Sequence, residues 1–207
     1  MKADFASLLH AAPVIAILRR PKVDPYACID LLFGRGIRLI EMTMESEGVL
    51  EAIQNVKRPP GTMFGAGTVT NPVLAEEALA AGADFLVTPN FNPGVVAVAR
   101  ERGVPICCGA MTPTEIFDAT EAGADFIKVF PAATLGPQYF REVLGPLSAA
   151  RLIATGGITP DNAADYFAAG VLAVGVGGAL IPKRPEDLNA CGEAAERLLL
   201  TAGKARR

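Results

Sequence analysis

The chain of 207 residues has one histidine, His10, and four cysteines, Cys28, Cys107, Cys108 and Cys191, with no Cys-x-x-Cys pair. So few ligands, without zinc spacing, argue against a metal centre. A single remote histidine also argues against a serine or cysteine triad. Adjacent Cys107 and Cys108 read as small core residues at a strand end rather than as a redox pair. No apolar run reaches the roughly 18 residues of a membrane span, and Met1-Lys-Ala-Asp-Phe5 has no signal-peptide core, so a cytoplasmic location is expected. Charge of one sign is scarce too. Nineteen Lys and Arg against 22 Asp and Glu leave a net −3, and the one basic block is Lys204-Ala-Arg-Arg207. Neither nucleic acid nor an anionic membrane is expected as a partner.

The chain is 51% hydrophobic, enough to bury a sizeable core in one domain, expected over residues 1–207. Its punctuation repeats. A capping residue followed by proline occurs at Asp24-Pro25, Asn71-Pro72, Asn92-Pro93, Thr112-Pro113 and Thr159-Pro160. Each reads as a helix N-cap with proline in the first turn. Thr112 and Glu115 also form a capping-box pattern. Gly36, Gly82, Gly103, Gly123 and Gly170 mark helix ends, spaced by about 20 or about 46 residues, which is one or two strand-plus-helix units. Ala81-Gly-Ala-Asp-Phe85 recurs as Ala122-Gly-Ala-Asp-Phe126. Strands are expected at 14–19, 38–43, 62–67, 85–88, 104–108, 126–130, 152–155 and 172–176, after a short helix in 1–12 that caps one end. Eight strands alternating with helices predict a compact (β/α)8 TIM barrel of the α/β class. An open doubly wound sheet is the alternative, disfavoured because no Gly-x-Gly-x-x-Gly follows the first strand.

In such a barrel, chemistry gathers at the C-terminal ends of the strands. The most informative residue there is Lys128. Alternation puts Phe126, Lys128 and Phe130 on one face of a strand, and a lysine dried by two phenylalanines favours its neutral, nucleophilic form. Such an amine attacks a ketone to give a Schiff base; the competing reading is a strand-end lysine that snorkels to solvent or pairs with a carboxylate. Glu41 shares a face with Leu39 and Thr43 and fits either a proton shuttle or a counter-ion to Lys128. Arg19 ends the first strand, either as a bidentate anion clamp or as a solvated charge. Gly65-Ala-Gly-Thr68 offers backbone approach and a hydroxyl, or only a turn. Thr155-Gly156-Gly157 and Gly175-Val-Gly177-Gly178 end the last two strands, where exposed backbone N–H groups and a helix N-terminus hold phosphate in barrels of this kind.

Ile40-Glu-Met-Thr43, Gly65-Ala-Gly-Thr-Val69, Thr88-Pro89, Phe126-Ile-Lys-Val-Phe-Pro131, Gly136-Pro-Gln138 and Thr155-Gly-Gly-Ile158 together resemble the class I 2-keto-3-deoxy-6-phosphogluconate (KDPG) / 4-hydroxy-2-oxoglutarate aldolase family, across residues 13–182. The resemblance implies Lys128 as Schiff-base lysine and Glu41 as general acid/base. It implies that Arg19, Thr68, Pro89 and Thr155 contact substrate, and that Gly156, Gly157, Gly177 and Gly178 hold its phosphate. It implies no metal and no cofactor, pyruvate and a phosphorylated keto acid as ligands, and a homotrimer. Two departures stand out. Glu45 occupies a position where many members have arginine, with Arg19 as the replacement, as in the branch that includes the phosphogalactonate enzymes. Gly178 stands where the family often has serine. Thr155 resembles the gluconate arm, whereas Ile15-Ala-Ile-Leu-Arg19, Thr88-Pro-Asn90 and Gly136-Pro-Gln-Tyr139 resemble the galactonate arm. The expected substrate is 2-keto-3-deoxy-6-phosphogluconate, with 2-keto-3-deoxy-6-phosphogalactonate and 4-hydroxy-2-oxoglutarate as alternatives. The competing classes are an isomerase- or decarboxylase-type barrel without an imine, and a non-catalytic binding or assembly module.

Overall fold

The computed structural model describes residues 4–205; residues 1–3, where the expected first helix begins, and 206–207, the end of the basic block, lie outside them. Eight parallel strands, β1 (Val14–Leu18), β2 (Leu39–Thr43), β3 (Met63–Gly67), β4 (Leu86–Val87), β5 (Ile106–Ala110), β6 (Phe126–Val129), β7 (Leu152–Thr155) and β8 (Ala173–Val176), close into a barrel in sequence order. Closure of β8 onto β1 excludes the open sheet. Helices α2 (Pro25–Gly34), α3 (Val49–Asn55), α4 (Pro72–Ala80), α5 (Pro93–Glu101), α6 (Pro113–Glu121), α7 (Ala132–Leu144), α8 (Ala163–Ala168) and α9 (Leu188–Ala205) alternate with the strands around it.

The caps explain where most helices begin. Asp24, Asn71, Asn92 and Thr112 each accept first-turn N–H groups, with proline next to them, and Thr112–Glu115 closes a reciprocal capping box. Thr159-Pro160 does not start a helix, contrary to expectation. The chain turns there, and α8 begins after Asn162, whose side chain is engaged with Thr159 N and Gly157 O. The repeated Ala-Gly-Ala-Asp-Phe junction has one physical role. Asp84 accepts from Phe64 N on β3 at 3.0 Å, and Asp125 accepts from Ile106 N on β5 at 2.9 Å. Each carboxylate thus satisfies a buried N–H at the start of the preceding strand.

Period-2 alternation sorts the core into two layers. Ile127, Val129, Cys108, Ile40 and Met42 face the helices, whereas Phe126, Cys107, Leu39, Ile15 and Ile153 fill the lower barrel. Helix α1 (Phe5–Ala11) plugs that end: Phe5 lies 4.9 Å from the Phe85 ring and 5.2 Å from the Phe126 ring. Such tilted ring pairs stabilise by about 0.5–1.5 kcal/mol beyond their buried area. The buried polar side chains Glu41, Thr43, Thr88, Lys128 and Thr155 lie toward the opposite end. No helix of the described residues is long and apolar enough to cross a membrane.

Candidate active site

Lys128 lies inside the barrel near the C-terminal end of β6, level with Gly109 on β5 and Ile153 on β7. The residue is 6% exposed, and Nζ stands 3.8 Å from Oε1 of Glu41. That separation is an ion-pair contact without a hydrogen bond. Glu41, 1% exposed, is level with Ile17 on β1 and Gly65 on β3, and neither of its carboxylate oxygens has a hydrogen-bond partner among the described residues. Burial pushes the Glu41 carboxyl up from its ordinary range; the positive charges of Lys128 and Arg19 oppose the rise, and Glu45 adds to it. A buried carboxyl of this kind exchanges protons above the normal carboxylate range, as an acid/base group near neutral pH requires. Beneath the pair lies Cys107, whose thiol burial holds well up, so it stays protonated.

Gly67 makes the room for Glu41. A Cβ there would stand 2.8 Å from Glu41 Cδ and 2.9 Å from Oε1. The glycines of Gly65-Ala-Gly-Thr68 therefore do not bring backbone to a ligand, as the sequence suggests. Gly67 yields to a carboxylate, and a Cβ at Gly65 would meet Phe85 O at 2.6 Å. Because Gly67 is paired within the sheet, it cannot retreat. Gly67→Ala should displace Glu41, with kcat falling about 10-fold or more and the fold losing about 1–3 kcal/mol. Steady-state kinetics and a thermal melt check this; wild-type kcat would show that the carboxylate position is not critical.

Lys128 opens upward into a cavity of about 340 Å³. Arg19, Pro89, Thr155, Gly156, Gly157, Gly177 and Gly178 line it, so seven of the eight residues expected to contact substrate or phosphate share one wall with the lysine. Ile17, Phe130, Gly175 and Ile181 complete it. Ile17 is legible from alternation with Arg19, while Ile181 carries no local signal. Thr68 lies off that wall, at φ 55°, and its hydroxyl accepts from Arg19 Nη2 at 3.2 Å. Arg19 Nε also forms an ion pair with Glu45 Oε1 at 3.2 Å. It is therefore not a free solvated charge.

The loops after β7 and β8 present backbone to the cavity, with Gly156 and Gly157 at φ 96° and 73°. Left-handed geometry here turns successive N–H groups in a way that side chains other than glycine resist. The expected helix N-terminus is absent at this point. After β8 the chain makes a turn, Leu180 N to Gly177 O at 2.8 Å, and α8 starts only at Ala163.

The chain matches the family described as "Aldolase: KDPG and KHG aldolase" over residues 5–193. It is 40% identical to a 2-dehydro-3-deoxy-phosphogluconate aldolase of Treponema pallidum over 162 residues, 77% of this chain and 76% of the relative. It is 33% identical to a 2-dehydro-3-deoxy-6-phosphogalactonate aldolase of Escherichia coli K12 over 189 residues, 89% of this chain and 88% of the other. Among solved structures, a 4-hydroxy-2-oxoglutarate / 2-dehydro-3-deoxyphosphogluconate aldolase from TTHB1 superposes with a TM-score of 0.84 at 32% identity, covering 96% of this chain and 98% of that one. The buried lysine and carboxylate at the mouth of a closed barrel, and a match spanning nearly all of that barrel, lead to one conclusion: the chain belongs to the KDPG and KHG aldolase family and is an aldolase, a lyase that breaks a carbon–carbon bond.

Proposed function

We propose that this chain is a class I aldolase that cleaves 2-keto-3-deoxy-6-phosphogluconate reversibly to pyruvate and glyceraldehyde 3-phosphate. The observation that carries the mechanism is a buried lysine amine, 3.8 Å from a carboxylate without a hydrogen-bond partner among the described residues and open to a cavity on its other side. Lys128 Nζ attacks the C2 ketone, and Glu41 supplies and removes protons as the carbinolamine loses water to give a protonated imine. Glu41, directly or through a water, then takes the C4 hydroxyl proton as the C3–C4 bond breaks. The bonding pair moves toward the imine nitrogen, so no metal or cofactor is needed as electron sink. Glyceraldehyde 3-phosphate leaves, the enamine is protonated at C3, and hydrolysis frees pyruvate and the lysine.

In this reading the planar fork of Arg19 holds the keto-acid carboxylate, with Thr68 beside it and Pro89 against the pyruvyl group. Thr155 meets the hydroxylated chain, and the N–H groups around Gly156, Gly157, Gly177 and Gly178 hold the phosphate, far from the breaking bond, where they orient it. The whole of residues 1–207 serves as one catalytic domain, acting in the cytoplasm. A homotrimer is the proposed assembly; a cage built by fusing symmetric oligomeric domains contains a region of this fold at 29% identity and TM-score 0.84.

The relatives carry gluconate, galactonate and mixed hydroxyoxoglutarate/gluconate names, and the 40% identity to a gluconate enzyme, with Thr155 on the cavity wall, favours the first. A lactate dehydrogenase-coupled assay should give a higher kcat/KM for 2-keto-3-deoxy-6-phosphogluconate than for its galactonate epimer or for 4-hydroxy-2-oxoglutarate. A higher value for the galactonate epimer would instead assign that substrate.

A further inference from the structure

Arg19, Glu45 and Thr68 follow three successive strands, and a hydrogen-bonded frame brings them together. The buried Ser46 hydroxyl accepts from Arg20 N at 2.9 Å and lies 3.0 Å from Thr43 Oγ1, which ties the β1 loop to the β2 loop. Met44 N donates to Gly67 O at 2.8 Å, fastening the β2 loop onto β3. Arg20 at φ 44° and Thr68 at φ 55° are held in the left-handed region, which ordinary side chains avoid without such support. Within this frame Arg19 Nε is ion-paired with Glu45 and Nη2 donates to Thr68 Oγ1, each at 3.2 Å. A guanidinium has five N–H donors in a fixed plane, so the two contacts fix that plane and leave donors for a ligand in the cavity that Arg19 lines. The Arg19 side chain is 53% exposed, and without an anchor it has many rotamers.

We propose that Glu45 is a positioning residue for the substrate carboxylate, gripping the Nε edge of Arg19 so that the outer edge of the guanidinium faces the cavity. The proposal rests on the reading of Arg19 as the carboxylate clamp. A mere counter-ion has the opposite consequence. It competes with the incoming carboxylate for Arg19, and removing it tightens binding, whereas removing an anchor weakens binding.

Borohydride trapping at Lys128, read by intact mass against ligand concentration, separates the two. Pyruvate and acetone are the probes, and the proteins are wild type, Glu45→Ala, Glu45→Gln, Arg19→Ala and the Arg19→Ala/Glu45→Ala double variant. Glu45→Ala should raise the half-saturating pyruvate concentration about 5-fold. Glu45→Gln keeps an acceptor oxygen and should stay within about 2-fold of wild type. Acetone, which has no carboxylate, should half-saturate alike in wild type and both Glu45 variants. The double variant should bind pyruvate no more weakly than Arg19→Ala, because the anchor acts only through the arginine. Unchanged or tighter pyruvate binding in Glu45→Ala overturns the proposal. So does a weakening shared by acetone, a Glu45→Gln as weak as Glu45→Ala, or full additivity in the double variant. Absence of any pyruvyl adduct at Lys128 in the wild type overturns the Schiff-base reading beneath it instead.

Discussion

Lys128→Met should abolish aldol cleavage, with kcat falling on the order of 10⁵-fold, the scale on which a covalent nucleophile is lost. Methionine keeps the length and apolar stem, so the β6 strand should remain paired, and loss of activity would not reflect loss of the barrel. The substitution also removes the charge that restrains Glu41. Burial already pushes that carboxyl up and Lys128 opposes the rise, so in the variant it should rise further. A carboxyl whose folded pKa exceeds its unfolded value contributes stability that is complete below the unfolded pKa and is lost as pH climbs through the folded one. The Tm deficit of Lys128→Met against wild type should therefore widen as pH rises above the ordinary carboxylate pKa of about 4.3. A deficit that narrows as pH rises would show that the lysine does not restrain the carboxyl.

Glu41→Gln should leave imine formation detectable but slow the exchange of pyruvate methyl protons with solvent by about 10²–10⁴-fold, the usual contribution of a general acid–base group. The amide has nearly the same shape, so Lys128 and the Gly67 cradle keep their places, and only proton transfer is removed. Deuterium uptake into pyruvate, followed by NMR, reads this step without the cleavage substrate. Exchange at the wild-type rate would leave Glu41 as a counter-ion to Lys128 and nothing more.

Much of this architecture can be read locally. Capping residues before proline, glycines at helix ends and the duplicated Ala-Gly-Ala-Asp-Phe junction report βα units because each signal satisfies a backbone need within its own segment. Alternation placed Lys128 between Phe126 and Phe130 on one face, and Glu41 with Leu39 and Thr43. Seven of the eight residues expected to contact substrate or phosphate line the cavity with Lys128, for the same reason: a strand end in a barrel is a fixed place. What was not legible depends on contacts between strands. The Arg19–Glu45–Thr68 association needs β1, β2 and β3 in register, and no single segment encodes it. In sequence Gly67 reads as letting the backbone approach a ligand, but Glu41 occupies the space beside it. Thr159-Pro160 has the same local pattern as four true helix starts, but Asn162 bonds across the turn and shifts the start to Ala163.

The central claim is that the Lys128 amine becomes bonded to the carbon of a substrate ketone, and reductive trapping tests it most directly. Wild-type protein incubated with pyruvate and sodium borohydride should gain one reduced pyruvyl group by intact mass, and a peptide map should place it at Lys128. Lys128→Met should gain none. Unmodified wild-type protein, or an adduct confined to another lysine, would contradict the account and leave the buried pair as an electrostatic site in a barrel that breaks its bond by another route.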